Sequence, residues 1–221
     1  DTLGNLNNTE TITFSLDSVP PTIDFVSPTP NNGSSQSSSS IFINLSTSDS
    51  TDHYTFTDFN NDVVLWMRFD DRNTNGDPTD LSSYSNNGTL KNSALINNTG
   101  YYGDSAFFGI ADTDQHVVIN DSDSLDLNNE MGFSVWIAPD FINTDGSNHM
   151  IIDKSFPGNV DAFRILFSAT EDDFGIIFYN SSTTQITCYT QTLSWNALSW
   201  HHFAGTYNGT DVALFWDGSL N

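Results

Sequence analysis

From Asp62 onward the chain is a train of short apolar runs cut apart by Asx-Gly pairs, and that punctuation leaves few folds open. The runs are Val63–Phe69, Ala106–Ile110, His116–Ile119, Gly132–Ala138, His149–Asp153, Ala162–Ser168, Phe174–Asn180, Gln185–Thr190, Trp200–Tyr207 and Asp211–Asp217. Asn87–Gly88, Asp145–Gly146, Asn208–Gly209 and Asp217–Gly218 fall between them. Asn or Asp followed by Gly readily takes the positive φ that a two-residue hairpin turn demands. Short strands joined by such turns predict an all-β fold, a two-sheet antiparallel sandwich or jelly roll. No window carries a convincing 3.6-residue apolar period, so almost no helix is expected.

The acids are nearly all Asp; the glutamates are Glu10, Glu130 and Glu171 alone. Asp, Asn and Ser compete with helical backbone bonding and favour turns, which agrees with a β protein. Aromatic residues make up 13% of the 221 residues, enough apolar area for a sizeable core rather than a disordered chain. The formal charge of -23 argues against nucleic acid and against an anionic membrane surface, since both require a basic footprint. No apolar run approaches the ~20 residues of a membrane span. Cys188 stands alone in a strand-like run and reads as a small hydrophobe rather than a catalytic thiol. With no initiator Met and no signal peptide at Asp1, the chain reads as an excerpt from a longer protein.

Sequons Asn-x-Ser/Thr begin at Asn7, Asn32, Asn44, Asn87, Asn97, Asn120, Asn180 and Asn208. They fit an exported, N-glycosylated surface protein. Residues 1–20 hold one strand-like run, Thr11–Ser15, and read as the end of a preceding domain or a linker. In Val19–Pro28 a double proline breaks one element and alternating apolar residues start another; with the alternating runs Ile41–Ser46 and Tyr54–Thr57 around a Ser-rich loop, residues 21–60 make about half of an immunoglobulin-like domain. Residues 61–221 form the principal domain.

Several segments of that domain resemble laminin-G-like, concanavalin A-like lectin/glucanase jelly rolls. Leu65–Asp71 is similar to their opening strand, and Asp80–Thr89 to their Asp-Ser-Ser loop ending in Asn-Asn-Gly-Thr. Tyr102–Phe108, His116–Asp126, Phe133–Pro139, Trp200–Gly209 and Leu214–Gly218 match further family stretches in the same order. The segment before residue 61 resembles immunoglobulin-like pieces that precede such domains in archaeal and bacterial surface proteins. The resemblance implies further strands after Asp217–Gly218. It also departs from the family at Phe108–Gly109–Ile110, where an acid is expected and the nearest are Asp112 and Asp114.

Four kinds of chemistry merit weighing. Asp71, Asn73, Asn75 and Asp77 alternate around Gly76 and could aim acceptor oxygens at calcium, with Asp80 joining from another direction. Ser82 replaces the usual bidentate Glu, and a solvated Asx-rich turn is the plainer reading. Asp112, Asp114, Asp121, Asp123 and Asp126 form a second acidic group. The resemblance implies a structural calcium. Glycan cleavage on this fold would use paired acids on one strand, whereas Glu171–Asp172–Asp173 sits in a turn, so no enzyme is expected. His201 and His202 are neighbours on a strand and point to opposite faces, which suits packing and hydrogen bonding.

Sugars stack on exposed aromatic faces and bond through Asp or Asn. Trp195 and Asn196 in a loop-like stretch, with Tyr84 and Tyr189, are the candidate ligand residues; Tyr101 and Phe156 are other loop aromatics. Trp66, Trp136, Trp200 and Trp216 lie on strands and are assigned to the core. The reading that follows is a non-catalytic carbohydrate-binding and adhesion module of an exported microbial cell-surface protein. Its partners would be a glycan or glycoprotein and neighbouring domains, without membrane insertion. The alternatives are a structural spacer without a ligand and, behind it, a glycan-cleaving enzyme.

Overall fold

The computed structural model describes residues 19–221 apart from 39, 52, 54, 56, 59, 110–113, 128–129, 143–145, 155–161, 180–184 and 192. The run Thr11–Ser15, Asp112, Phe156 and the sequons at Asn7 and Asn180 therefore lie outside the described residues. The chain divides into two compact units, Asp1–Asn60 and Asn61–Asn221.

In the first unit β1 (Thr22–Phe25) pairs antiparallel with β2 (Leu45–Ser48), Ile23 opposite Thr47. Every residue of β1 is exposed. The Thr29 hydroxyl and the Asn44 amide N–H close the pair's end, with Asn44 Nδ2 donating to the Ser27 carbonyl. A two-stranded pair of this kind does not by itself specify an immunoglobulin-like domain.

The second unit begins with two short antiparallel pairs. β3 (Gly88–Lys91) pairs with β6 (His116–Ile119), and β4 (Leu95–Asn97) with β5 (Ser105–Phe107). A 3-10 turn, Asp123–Leu125, follows. Then β7 (Met131–Ile137) leads into a four-stranded meander: β8 (His149–Lys154), β9 (Ala162–Ser168), β10 (Asp173–Tyr179) and β11 (Gln185–Tyr189). The chain returns as β12 (His201–Tyr207), which pairs with β7, and continues into β13 (Val212–Trp216) and β14 (Ser219–Leu220). The two four-stranded sheets are ordered β11-β10-β9-β8 and β14-β13-β12-β7. The unit is an all-β antiparallel sandwich.

Strand parity builds the core, because alternate side chains point to opposite faces. In β9 and β10 the inward residues face each other directly: Phe167 with Phe174, Ile165 with Ile176, and Phe163 with Phe178. All six are buried, and they pack with Met131, Phe203, Tyr207, Leu214 and Trp216 of the other sheet. Phe174 stacks on Trp216 at 4.9 Å and Phe178 meets Tyr207 at 4.9 Å, which ties the sheets together. Each such aromatic contributes about 1.5–3 kcal/mol by leaving water. Cys188 on β11 packs against this core, and burial pushes its thiol up, as a small hydrophobe's surroundings would.

The run Val63–Phe69 departs from expectation. It is not part of a ladder. The Asp80–Asn86 loop takes its backbone bonds instead: Trp66 N–H donates to Asp80 Oδ1 and the Trp66 carbonyl accepts Leu81 N–H, while the Val64 carbonyl accepts Ser82 Oγ and Asn86 Nδ2. The Asp80–Asn86 loop thus replaces a neighbouring strand along that edge.

Candidate functional site

The Asp217–Gly218 pair joins β13 to β14 with φ of 48° and 78°, the two positive values of a type I′ turn. The turn brings the Asp217 carboxylate back onto the start of β12. Oδ1 accepts the His202 backbone N–H at 2.9 Å and Oδ2 accepts His201 Nδ1 at 2.9 Å. Burial pushes the Asp217 carboxyl up. Those two bonds and the charges of both imidazoles outweigh that effect and hold it below the usual carboxylate range.

His201 and His202 face opposite ways, as adjacent strand residues must. His201 turns inward, stacked on Trp216 at 4.9 Å, and its Nε2 is buried without a hydrogen-bond partner among the described residues. His202 turns outward, its Nε2 2.8 Å from Ser134 Oγ and its ring 5.2 Å from Trp136.

Trp136 shares the outer face of β7 with Gly132 and Ser134, while Phe133, Val135 and Ile137 pack inward. Its indole is 38% exposed. Tyr101 stacks on it at 3.8 Å and 8°, and Tyr102 meets it edge-on at 6.0 Å. Both tyrosines sit in a tight loop closed by Gly100 N–H donating to the Gly103 carbonyl. Gly103 has φ of 63°, and any Cβ there would overlap the Asp70 carboxylate, which accepts the next N–H, that of Asp104. Asp104 in turn pairs with Arg72. A turn glycine and an acid thereby press two tyrosines onto one tryptophan.

The result is an open cleft of about 450 Å³ at one end of the β7–β12–β13 sheet, lined by Tyr101, Trp136, Trp200, His202, Asp217 and Gly218, with His201 at its inner wall. That volume lies in the range of small-molecule sites, which combine apolar walls with a few fixed polar groups. Exposed aromatics grouped in this way carry more information than a lone exposed side chain.

None of the four sequence-selected ligand residues lines this cleft. Trp195 is half-buried in the core: Nε1 donates to the Phe141 carbonyl at 2.8 Å, and its ring meets Phe141, Phe167, Phe174 and Trp216. It plugs the open end of the sandwich. Asn196 beside it is exposed, its carbonyl accepting the Ser199 N–H. Tyr84 is exposed with its hydroxyl on the Asn61 carbonyl. Tyr189 lies across Gly175 of β10, where a Cβ would strike its ring.

The metal candidates are engaged in hydrogen bonds and ion pairs of the fold. Asn73 Oδ1 accepts the N–H groups of Asn75 and Asp77, and Asp77 Oδ1 accepts that of Leu90. Asp71 pairs with Arg68. Asp80 accepts four bonds, from the N–H groups of Trp66, Ser82 and Asn86 and from Ser82 Oγ. Burial pushes its carboxyl up, but these bonds prevail and hold it low. These bonds close the loops that carry the oxygens. In the second acidic group, Asp121 and Asp126 pair with Lys154. Among the described residues no three His, Cys, Asp or Glu side chains gather closely enough for a metal.

Sequence reasoning assigned Trp136 to the core with the other strand tryptophans. Parity was the available signal, since Trp136 is in phase with Gly132 and Ser134 and not with Phe133 and Val135.

Residues 111–221, half of the chain, match the laminin-G-type family model described as the concanavalin A-like lectin/glucanases superfamily. No curated protein and no solved structure matches the chain.

Proposed function

This chain belongs to the concanavalin A-like lectin/glucanases superfamily, and from that premise we propose that it is a non-catalytic carbohydrate-binding module of adhesion type, carried by an exported cell-surface protein. The observation that carries the reading is the Tyr101–Trp136 stack beside Asp217 and His202 in one cleft. A pyranose presents an apolar C–H face that buries area against an aromatic ring, while its hydroxyls need fixed polar partners at the ring's edge. The cleft offers both. Asp217 is held ionised and anchored from two sides, so it is positioned to accept a hydroxyl proton without moving.

Of the acids weighed for catalysis, Asp173 is used structurally. Asp173 is buried and accepts Thr190 Oγ1 and the Leu193 N–H, each at 3.2 Å. That use supports a binding role rather than hydrolysis. The charge of -23 and the sequons support an exported surface protein.

The test is a glycan array probed with the folded protein in calcium and again in EDTA. Binding to a defined glycan, unchanged by EDTA and lost in Trp136→Ala, is the expected result. A folded protein that binds nothing on the array would return the reading to a spacer domain.

A further inference from the structure

Charge at the cleft narrows the ligand class. We infer that the saccharide taken by this cleft is uncharged, and that sialylated, uronic and sulfated glycans are excluded. The inference rests on the carbohydrate-binding reading of the same site.

Carboxylate, sulfate and phosphate groups are ordinarily held by arginine or lysine, arginine through paired N–H bonds. The chain has five such residues: Arg68, Arg72, Arg164, Lys91 and Lys154. None lines the cleft. Four are already neutralised in ion pairs, Arg68 with Asp71, Arg72 with Asp104, Arg164 with Asp153 and Lys154 with Asp126. Arg72 approaches the tyrosine loop only through Asp104, so its charge is already met there. Lys91 is on β3.

The imidazoles lie against Asp217, whose carboxylate meets the positive charge they bring. His201 Nδ1 is bonded to Asp217, and His202 Nε2 to Ser134 Oγ. The carboxylate that faces the cleft is Asp217, held below the usual carboxylate range. Around it the whole chain carries -23. An approaching anion meets repulsion both from the cleft and from the long-range field, screened only beyond about 8 Å at physiological salt. An uncharged pyranose meets none of this and keeps the aromatic stack and the polar rim.

The experiment is a titration of the full chain and of Trp136→Ala against matched uncharged and acidic polysaccharides. The probes are mannan, galactan and cellulose oligomers on one side, and polygalacturonate, hyaluronan and heparin on the other. Each is measured at about 0.05 M and about 0.5 M NaCl. The expected result is an uncharged probe bound at least about tenfold more tightly than any acidic one at low salt. That binding is insensitive to salt and lost in Trp136→Ala. An acidic probe bound equally well or better, and also lost in Trp136→Ala, overturns the inference and leaves the site standing. No binding to either class by a folded chain overturns both. Selectivity that survives Trp136→Ala removes the cleft from the account.

Discussion

Trp216 and Trp136 lie on the same four-stranded sheet and face opposite ways. Trp216 on β13 is 8% exposed, stacked on Phe174 of the other sheet and on His201. Trp136 on β7 is 38% exposed, covered on the outside by Tyr101 and flanked by His202. The residue type is identical; the parity of one position decides which is core and which is surface. The inner face is made by rings from two sheets closing on each other. The outer face is made by one sheet and a short loop, and its aromatics stay open to a ligand. Burial on the first face stabilises the fold, and exposure on the second is tolerated by it.

That contrast breaks first at the core. Phe203→Ala removes a fully buried ring that meets Phe133, Phe174 and Trp216. It should cost about 3–5 kcal/mol in urea unfolding. A cost below about 1 kcal/mol would mean that the inner face is not the stabilising one. Trp195→Ala comes next, at about 2–4 kcal/mol, because it opens the plug and leaves the Phe141 carbonyl without its donor. Saccharide affinity of the folded variant should match the parent. A selective loss of affinity would move the site to the Trp195 loop.

Asp80→Ala should cost about 1–3 kcal/mol, since several donors lose a shared acceptor. The pH dependence carries a sign. Asp80 is held below the ordinary carboxylate value, so its contribution is complete above about pH 4 and fades as pH falls through the folded value. The parent should lose more stability than Asp80→Ala between about pH 4 and pH 2 in thermal melts. Equal losses would show that the carboxylate does not brace the Val63–Phe69 edge. The smallest stability effect is expected from Trp136→Ala, about 1 kcal/mol, because the ring is 38% exposed and its contacts are with the likewise exposed Tyr101 and Tyr102 rather than with the core.

Much of the sandwich was legible before any coordinates. Runs such as Ala162–Ser168 and Phe174–Asn180 are short, apolar and rich in aromatic and β-branched residues, and Asp217–Gly218 announces its hairpin, so both follow from local signals. The Val63–Phe69 edge was harder, because its hydrogen bonds go to a loop up to 22 residues away. The hydrogen bonding of the calcium candidates was equally hidden from the sequence. Spacing shows that Asp71 to Asp80 could converge, but not that Leu90 N–H, Arg68 and Trp66 N–H take their oxygens first. Trp195 looked like a loop aromatic, yet a loop crossing the end of a sandwich lies over its core. The cleft itself joins residues from 101 to 218, and only the fold brings them together.

The most direct measurement is an NMR nuclear Overhauser experiment on the chain with a bound uncharged oligosaccharide. Cross-peaks from sugar ring protons to the Trp136 indole and the Tyr101 or Tyr102 rings are the result this account predicts. Cross-peaks confined to Trp195, Tyr84 or Tyr189, with Trp136 silent, would contradict it.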